Sequence, residues 1–384
     1  MSELGDLLEL LHTSDQRWRT VRMAGREWRH EDRLLEAFHR EAARRRGAVA
    51  MMWGHGTGAP KPIEREDRWA LWVAPEGRVR AAFSVGEEEI IAVLRGNQWW
   101  HWSPSTGGQT NAAEPSDGGS HGTGPGAALL ETAAILPALS FEITGRAEAA
   151  GRSALAVRAT PVPSEPELHG LSGLHGIGSG ADEYRLLVDA ERGVLLRAEA
   201  LLGGEPFRVL EVNDVGFDEE LPAETFTLEL PPGQAFSPPP DHRDVPLDRL
   251  PGEVAFTVFV PEHPPVAADP MEPVEPPRTA MIMPAAPRWN VPLHVHLTYQ
   301  LGPERMLTLR ESAEPMPVHE DQELTPRGDL LVGEDRTSSP GRRNVRLRRN
   351  GTHVELEAIG MSLDELVALA ATLVPLPVTA VETG

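Results

Sequence analysis

The sequence predicts an α+β protein built on antiparallel sheet, and three observations carry that expectation. Tyr184 to Gly233 holds four short apolar runs, broken by the turn clusters Asp189-Ala190-Glu191-Arg192-Gly193 and Gly203-Gly204-Glu205-Pro206. Short Val-, Leu- and Phe-rich runs between tight turns suit strands joined as hairpins. Arg342 to Ile359 reads as a further hairpin turned by Asn350-Gly351, a pair that tolerates the positive φ of a two-residue turn. A helix follows. Ser362 caps it, Glu365 completes a capping box, and Met361 with Leu366 forms a staple pair. Leu363, Leu366, Val367, Ala370 and Leu373 make its apolar stripe, and Pro375 ends it.

The remaining elements follow in order. Leu4, Leu7, Leu8 and Leu11 have the spacing of a short amphipathic helix. Arg17 to Met23 reads as a strand, and residues 31–45 as a helix with an Arg-rich end that suits the dipole. Strands are expected at 48–53, 67–74, 78–85, 89–95 and 98–102, with Pro75-Glu76-Gly77 as a turn. Residues 103–127 are polar and rich in Gly, Ser and Thr, and read as a loop. A helix at 127–137 and strands at 140–146 and 153–160 lead to a second loop, Pro161 to Asp182. In the last run of the Tyr184–Gly233 stretch, Phe226, Leu228 and Leu230 alternate with Thr225, Thr227 and Glu229, as in a strand with one apolar face. Residues 236–253 read as a Pro- and Asp-rich linker between a domain at 1–235 and a smaller α+β domain at 254–384. In the latter, Val254 to Val260, Leu293 to Gln300 and Met306 to Glu311 are expected strands, and 261–280 a Pro-rich loop.

Several segments resemble the LolA/RseB-like family of lipoprotein-binding half-barrels. They are Leu187-Val188-Asp189, the turn closed by Gly193, the strand Val194 to Glu199, the closing Leu221-Pro222-Ala223-Glu224-Thr225-Phe226, and Pro231-Pro232-Gly233. Gly96-Asn97-Gln98-Trp99-Trp100-His101-Trp102-Ser103-Pro104 is similar to the family's glycine turn, aromatic strand and proline. The resemblance implies an antiparallel half-barrel sheet over about residues 15–233, with a helical lid on its concave face. It also implies a binding protein rather than an enzyme, holding an acyl chain or a lipidated peptide. An alternative implied by the same family is a regulatory module that binds an anti-sigma factor through a half-barrel and a smaller domain.

Composition narrows the classes. The 384 residues carry a net charge of −22, which repels nucleic acid and anionic headgroups at long range. There is no cysteine, so disulfides, thiolate catalysis and Cys-based zinc sites are excluded. The first twenty residues place acids among leucines, with no basic region and no apolar core, so they do not read as a signal peptide and the chain is expected in the cytoplasm. No window reaches the roughly 18 apolar residues of a membrane helix.

The candidate ligand-cavity residues are Trp69, Trp72, Trp99, Trp100, Trp102, Phe226 and Leu228. Alternation puts Trp100 and Trp102 on one face, and Trp99 and His101 on the other. These rings either line an apolar cavity or pack as ordinary core. Arg342, Arg343, Arg346, Arg348 and Arg349 form a basic cluster that either docks a partner protein or lies on a solvated edge strand. His294 and His296 share a strand face, but no third ligand stands at a convincing spacing, so no metal is expected. Gly54 to Gly58 and Gly176 to Gly180 lack the G-K-[ST] of a phosphate loop, and no nucleophile elbow occurs. No catalytic residues and no cofactor are expected.

Overall fold

The computed structural model describes residues 3–44, 63–86, 88–113, 115, 122–162, 174–238, 243–263, 265, 277–285, 291–302, 305–317, 324–335 and 342–377. The chain divides into two compact units, Met1–Glu41 with Lys61–Pro239 and Ala42–Pro60 with Pro240–Gly384.

The first unit is an open antiparallel half-barrel of eleven strands. Helix α1 (Glu3–His12) precedes β1 (Val21–His30) and α2 (Glu31–Arg44). Strands β2 (Glu64–Ala74), β3 (Arg78–Val85), β4 (Glu88–Arg95), β5 (Gln98–Ser103) and β6 (Gly107–Thr110) then step outward from β1 to one edge. After the helical turn α3 (Thr132–Ile135), β7 (Leu139–Ala149) forms the opposite edge. Strands β8 (Arg152–Pro161), β9 (Glu183–Asp189), β10 (Leu195–Leu202) and β11 (Glu205–Phe217) step back until β11 pairs with β1. Most pairings are thus local hairpins, which keeps the closure entropy of those steps low; β1 with β2, β8 with β9 and β1 with β11 are the exceptions. One consequence of this order is a chain that must cross from β6 to β7 over the face of the sheet.

That crossing makes the lid. Period-two alternation sends Val21 and Met23 of β1, Trp69 and Leu71 of β2, Tyr184, Leu186 and Val188 of β9, and Ala198 and Ala200 of β10 to the same inner core. Leu7, Leu10 and Leu11 of α1 and Leu129 and Ile135 of the crossing chain cover it. Here the expected 127–137 helix is three short pieces: 3₁₀ turns at Pro125–Leu129 and Leu136–Ala138 with α3 between them. Gly126 and Pro137 lie within the two 3₁₀ turns, where neither favours a continuous α-helix, and the first break falls at Leu130-Glu131. The Thr132 hydroxyl donates to the Leu11 carbonyl at 2.7 Å and ties the lid to α1.

The second unit has a sheet of eight strands. They are β12 (Arg243–Pro246), β14 (Thr279–Met283), β15 (His294–Gly302), β16 (Arg305–Ser312), β17 (Thr325–Arg327), β18 (Leu330–Asp335), β19 (Arg342–Arg349) and β20 (Thr352–Ile359). Its apolar face carries Val295, Leu297, Leu309, Val345, Leu356 and Ala358. Helix α4 (Leu250–Glu253), the pair β13 (Phe259–Pro261) and β21 (Leu373–Pro375), and α5 (Leu363–Ala371) contribute Leu250, Phe259, Leu373, Leu366 and Ala370 to the same core. The capping box is formed: the Ser362 hydroxyl accepts from the Glu365 amide at 3.2 Å, and the Glu365 carboxylate accepts from the Ser362 amide at 2.7 Å. Ser362→Ala is expected to lower unfolding stability by about 1 kcal/mol in urea titrations, the usual worth of an N-cap.

The structure revises several sequence expectations. Phe226 to Leu230 is not a strand of the sheet. It begins in a 3₁₀ turn at Ala223–Phe226, and its carbonyls are taken by arginine side chains rather than by a ladder. The polar 103–127 stretch contains β6, which pairs with β5. The first strand runs from Val21 to His30 rather than from Arg17 to Met23. In α1 the buried stripe is Leu7, Leu10 and Leu11, while Leu4 and Leu8 stay exposed. Within 236–253, Arg243–Pro246 is an edge strand paired with β14 and Leu250–Glu253 is a helical turn. Of Val254 to Val260, only the end is strand, as part of Phe259–Pro261. Helix α5 stops at Ala371, so Leu373 reaches the core from β21. The expected strand at 48–53 lies outside the described residues.

Candidate functional site

Two different segments cover the half-barrel, one over β2 and β3 on the inner face and one over β2 to β5 on the outer face. On the inner face the lid rests on aromatic rings. A Cβ on Gly126 would lie 2.6 Å from the Trp69 ring, and one on Gly124, where φ is +70°, would lie 2.7 Å from Phe83. The lid backbone therefore touches these rings directly, and only glycine allows that approach. Trp69 and Phe83 are register partners on β2 and β3, so they form one aromatic floor. Trp69 is 4% exposed.

On the outer face a strap, residues 221–237, lies across the same strands. Phe226 and Leu228 are buried with Ala74 and Val93, and Trp72, Trp100 and Trp102 pack against them. The Arg80 guanidinium donates to the Thr227 carbonyl at 2.9 Å, and Arg95 donates to the Phe226 carbonyl at 2.6 Å and to the Thr227 hydroxyl at 2.9 Å. Arg78 lies 5.3 Å over the Phe226 ring, within cation–π range. The indole N–H of Trp102 donates to Gln234 at 2.9 Å, and Ser237 exchanges backbone bonds with Gly108 and Thr110 at the β6 edge.

The seven aromatic and aliphatic candidates thus fall into two groups. Trp69 stands on the inner floor beneath the lid. Trp72, Trp100, Trp102, Phe226 and Leu228 stand together on the outer face under the strap. Trp99 shares the inner-face parity of Leu94 and Val79 and is buried, and its amide donates to Asn111 at 2.7 Å.

The arginine cluster is largely committed within its own unit. Strand β19 lies between β18 and β20, so it is not an edge. Arg346 donates twice to Glu355, at 3.0 and 2.8 Å, and to the carbonyls of Met316 and Pro317. Arg343 donates to the Met361 carbonyl and Arg349 to that of Leu373. Arg348 is exposed, and the side chain of Arg342 lies outside the described residues. The His294 and His296 rings lie tilted at 49° with centroids 4.8 Å apart. Burial, with Arg310 beside it, depresses the His296 pKa to about 3, and burial also lowers that of His294. Neutral imidazoles beside an arginine are packing groups here, and no three His, Asp or Glu side chains gather as a metal would need among the described residues.

One cluster was not singled out in the sequence. Beyond Trp69 on the inner face of β2 come Asp67 and then Arg65, and β1 brings Glu27 and Arg29 into register with them. Arg208 of β11 pairs with Arg29. Arg65 Nε lies 2.7 Å and Arg29 Nη2 2.9 Å from Asp67, and Arg208 Nε donates to Glu27 at 2.8 Å. Glu27 and Asp67 are 4% and 3% exposed. Charges at Arg65, Asp67, Glu27 and Arg29 continue the inner-face alternation of Trp69, Leu71 and Met23. In sequence that alternation is visible, but the meeting of the three strands is not.

No family model and no curated relative matches this chain. Solved structures of similar fold are found. The Pseudomonas aeruginosa MucA/MucB complex is 12% identical, over 98% of this chain and 100% of that one, with a TM-score of 0.33. The Mycobacterium tuberculosis lipoprotein LppX is 10% identical, over 58% of this chain and 99% of that one, with a TM-score of 0.33. A LolA superfamily protein from Nitrosomonas europaea is 12% identical, over 59% and 99%, with a TM-score of 0.23. The likeness to LolA/RseB-like proteins is one of fold.

Proposed function

We propose that the protein is a non-catalytic binding protein that holds an apolar ligand, an acyl chain or a lipidated peptide, against the inner face of its half-barrel. The observation that carries this reading is the lid. It is three short helical pieces, entered at Gly124 and laid through Gly124 and Gly126 on an aromatic floor of Trp69 and Phe83. Short pieces of this kind have little helical stability of their own, so their seating depends on the apolar contacts beneath them. A ligand chain that replaces those contacts, at about 0.8 kcal/mol per methylene buried, offsets the lifting of the lid. The outer aromatic group is a weaker candidate, because the strap already fills it with side chains and backbone bonds.

Titration with dodecanol below its solubility limit, read by tryptophan emission, tests the reading. A saturable change is expected, and Trp69→Phe should remove most of it, because an indole reports exchange of its neighbours. Trp100→Phe should leave it in place. No saturable response, or one lost only in Trp100→Phe, contradicts the inner-face site.

A further inference from the structure

We propose that Arg65, with Arg29 and Arg208, recognises the anionic headgroup of a single-chain amphiphile whose hydrocarbon part lies on Trp69 beneath the lid. The inference rests on the inner-face reading above and names the ligand class that face takes.

The geometry is that of one strand. Arg65, Asp67 and Trp69 project from the same face of β2, because side chains two apart share a face. Four residues of strand place the Arg65 backbone about 13 Å from that of Trp69, roughly the length of a ten-carbon chain. The apolar end of the floor and the charged end are therefore spaced as the tail and head of an amphiphile.

Three guanidinium groups and three carboxylates meet at that end, but their hydrogen bonds are unevenly shared. Arg29, Arg65 and Arg208 face two buried carboxylates, Glu27 and Asp67. Glu31 comes near only one of them, 3.8 Å from Arg29 Nε. Arg208 also spends one nitrogen on the His175 carbonyl at 3.0 Å. Arg65 Nη2 is buried and makes no hydrogen bond, although Asp67 lies 2.7 Å from Nε of the same guanidinium. A buried guanidinium N–H without an acceptor costs free energy, which an anion bonded to it would recover. The side chains of Arg65, Arg208 and Arg29 remain 17%, 15% and 22% exposed, so the cluster is reachable from outside. Asp67 holds Arg65 from one side and itself accepts from the Gly86 amide at 3.2 Å, which fixes the guanidinium in place before a ligand arrives. A chain with a net charge of −22 repels anions at long range, so short-range pairing at this end would have to supply the selectivity.

Carboxylate and phosphate headgroups share the chemistry, and the test separates them. Full-length protein is titrated by calorimetry with dodecanoate, dodecyl phosphate and dodecanol. Both anions are expected to bind at least about tenfold more tightly than the alcohol, as one charge-assisted pair allows. The larger of the two preferences identifies the headgroup. In Arg65→Gln the preference should fall to within about threefold, while dodecanol affinity stays within about twofold, since only the head loses a partner. Should that variant unfold by circular dichroism, Arg65→Lys keeps the charge, loses the fork, and is expected to weaken the anions alone. Equal affinities for all three ligands in the unaltered protein overturn the headgroup site and leave the apolar site standing. An anion preference that survives both Arg65 substitutions places the headgroup elsewhere and overturns the assignment. Binding of none of the three overturns the apolar reading as well.

Discussion

Leu366→Asp is expected to abolish the folding of the second unit. Leu366 is fully buried in the face of α5 that joins the sheet core, together with Ala370, Val345 and Leu356. An aspartate there must either ionise among apolar side chains or bury its carboxyl, at several kcal/mol. A unit of this size has only about 5–15 kcal/mol of net stability to lose. Hydrogen exchange of the full chain localises the effect. Amides of β15, β16, β19 and β20 should lose protection, while those of β9, β10 and β11 keep theirs. Unchanged protection in β19 and β20 would mean that α5 is not docked as described.

The second large effect depends on pH. Glu311 is fully buried on the apolar side of the second sheet, in register between Val295 and Val354. Its Oε2 accepts from the Phe259 amide at 2.7 Å, which joins β13 to the sheet, and its Oε1 has no partner. Burial pushes its pKa up to about 8, against the Phe259 bond that favours the anion. The folded state therefore binds this proton more tightly than the unfolded chain, whose glutamate titrates near 4.5. The stability tied to the neutral form is complete below the unfolded value and is lost as pH rises through about 8. His296 acts in the opposite sense. Its folded pKa is depressed to about 3, so its neutral form stabilises above 6.5 and that contribution is lost as pH falls toward 3. The two slopes oppose each other between 4.5 and 6.5, where the second unit should be least sensitive to pH. Glu311→Gln keeps an acceptor for Phe259 and removes the titration. At pH 9 the variant is expected to be more stable than the unaltered protein, by up to about 4 kcal/mol. Near pH 5 the two should be close. Urea titrations from pH 5 to 9 measure this, and parallel pH profiles would mean that Glu311 does not titrate in the folded core.

The hairpins were legible because their signals are local. Asn350-Gly351, Gly193 and Gly203-Gly204 each demand a turn, and the flanking alternation supplies strands on either side. The capping box of α5 was legible for the same reason. What alternation could not reveal was which neighbour receives the backbone bonds. Phe226, Leu228 and Leu230 alternate as a strand does, yet Arg80 and Arg95, distant in sequence, take the carbonyls and turn the segment into a strap. Strand β19 carries alternating arginines that suit an edge, yet Glu355 and the Met316 and Pro317 carbonyls receive Arg346 inside the sheet. The tryptophans were correctly divided into two faces by parity, but parity alone does not say which face a lid covers. That depends on the crossing from β6 to β7, a property of strand order rather than of any local pattern.

On the proposed reading the ligand lies between the lid and the inner floor. A dodecyl ligand carrying a diazirine near its tail, photolysed in complex with the full chain and mapped by peptide mass spectrometry, tests it most directly. Insertion is expected at Trp69, Phe83, Leu129 or Ile135, the residues of the floor and of the lid above it. Labelling confined to Trp72, Trp100, Trp102 or the strap residues Phe226 and Leu228 would place the ligand on the outer face and contradict the account.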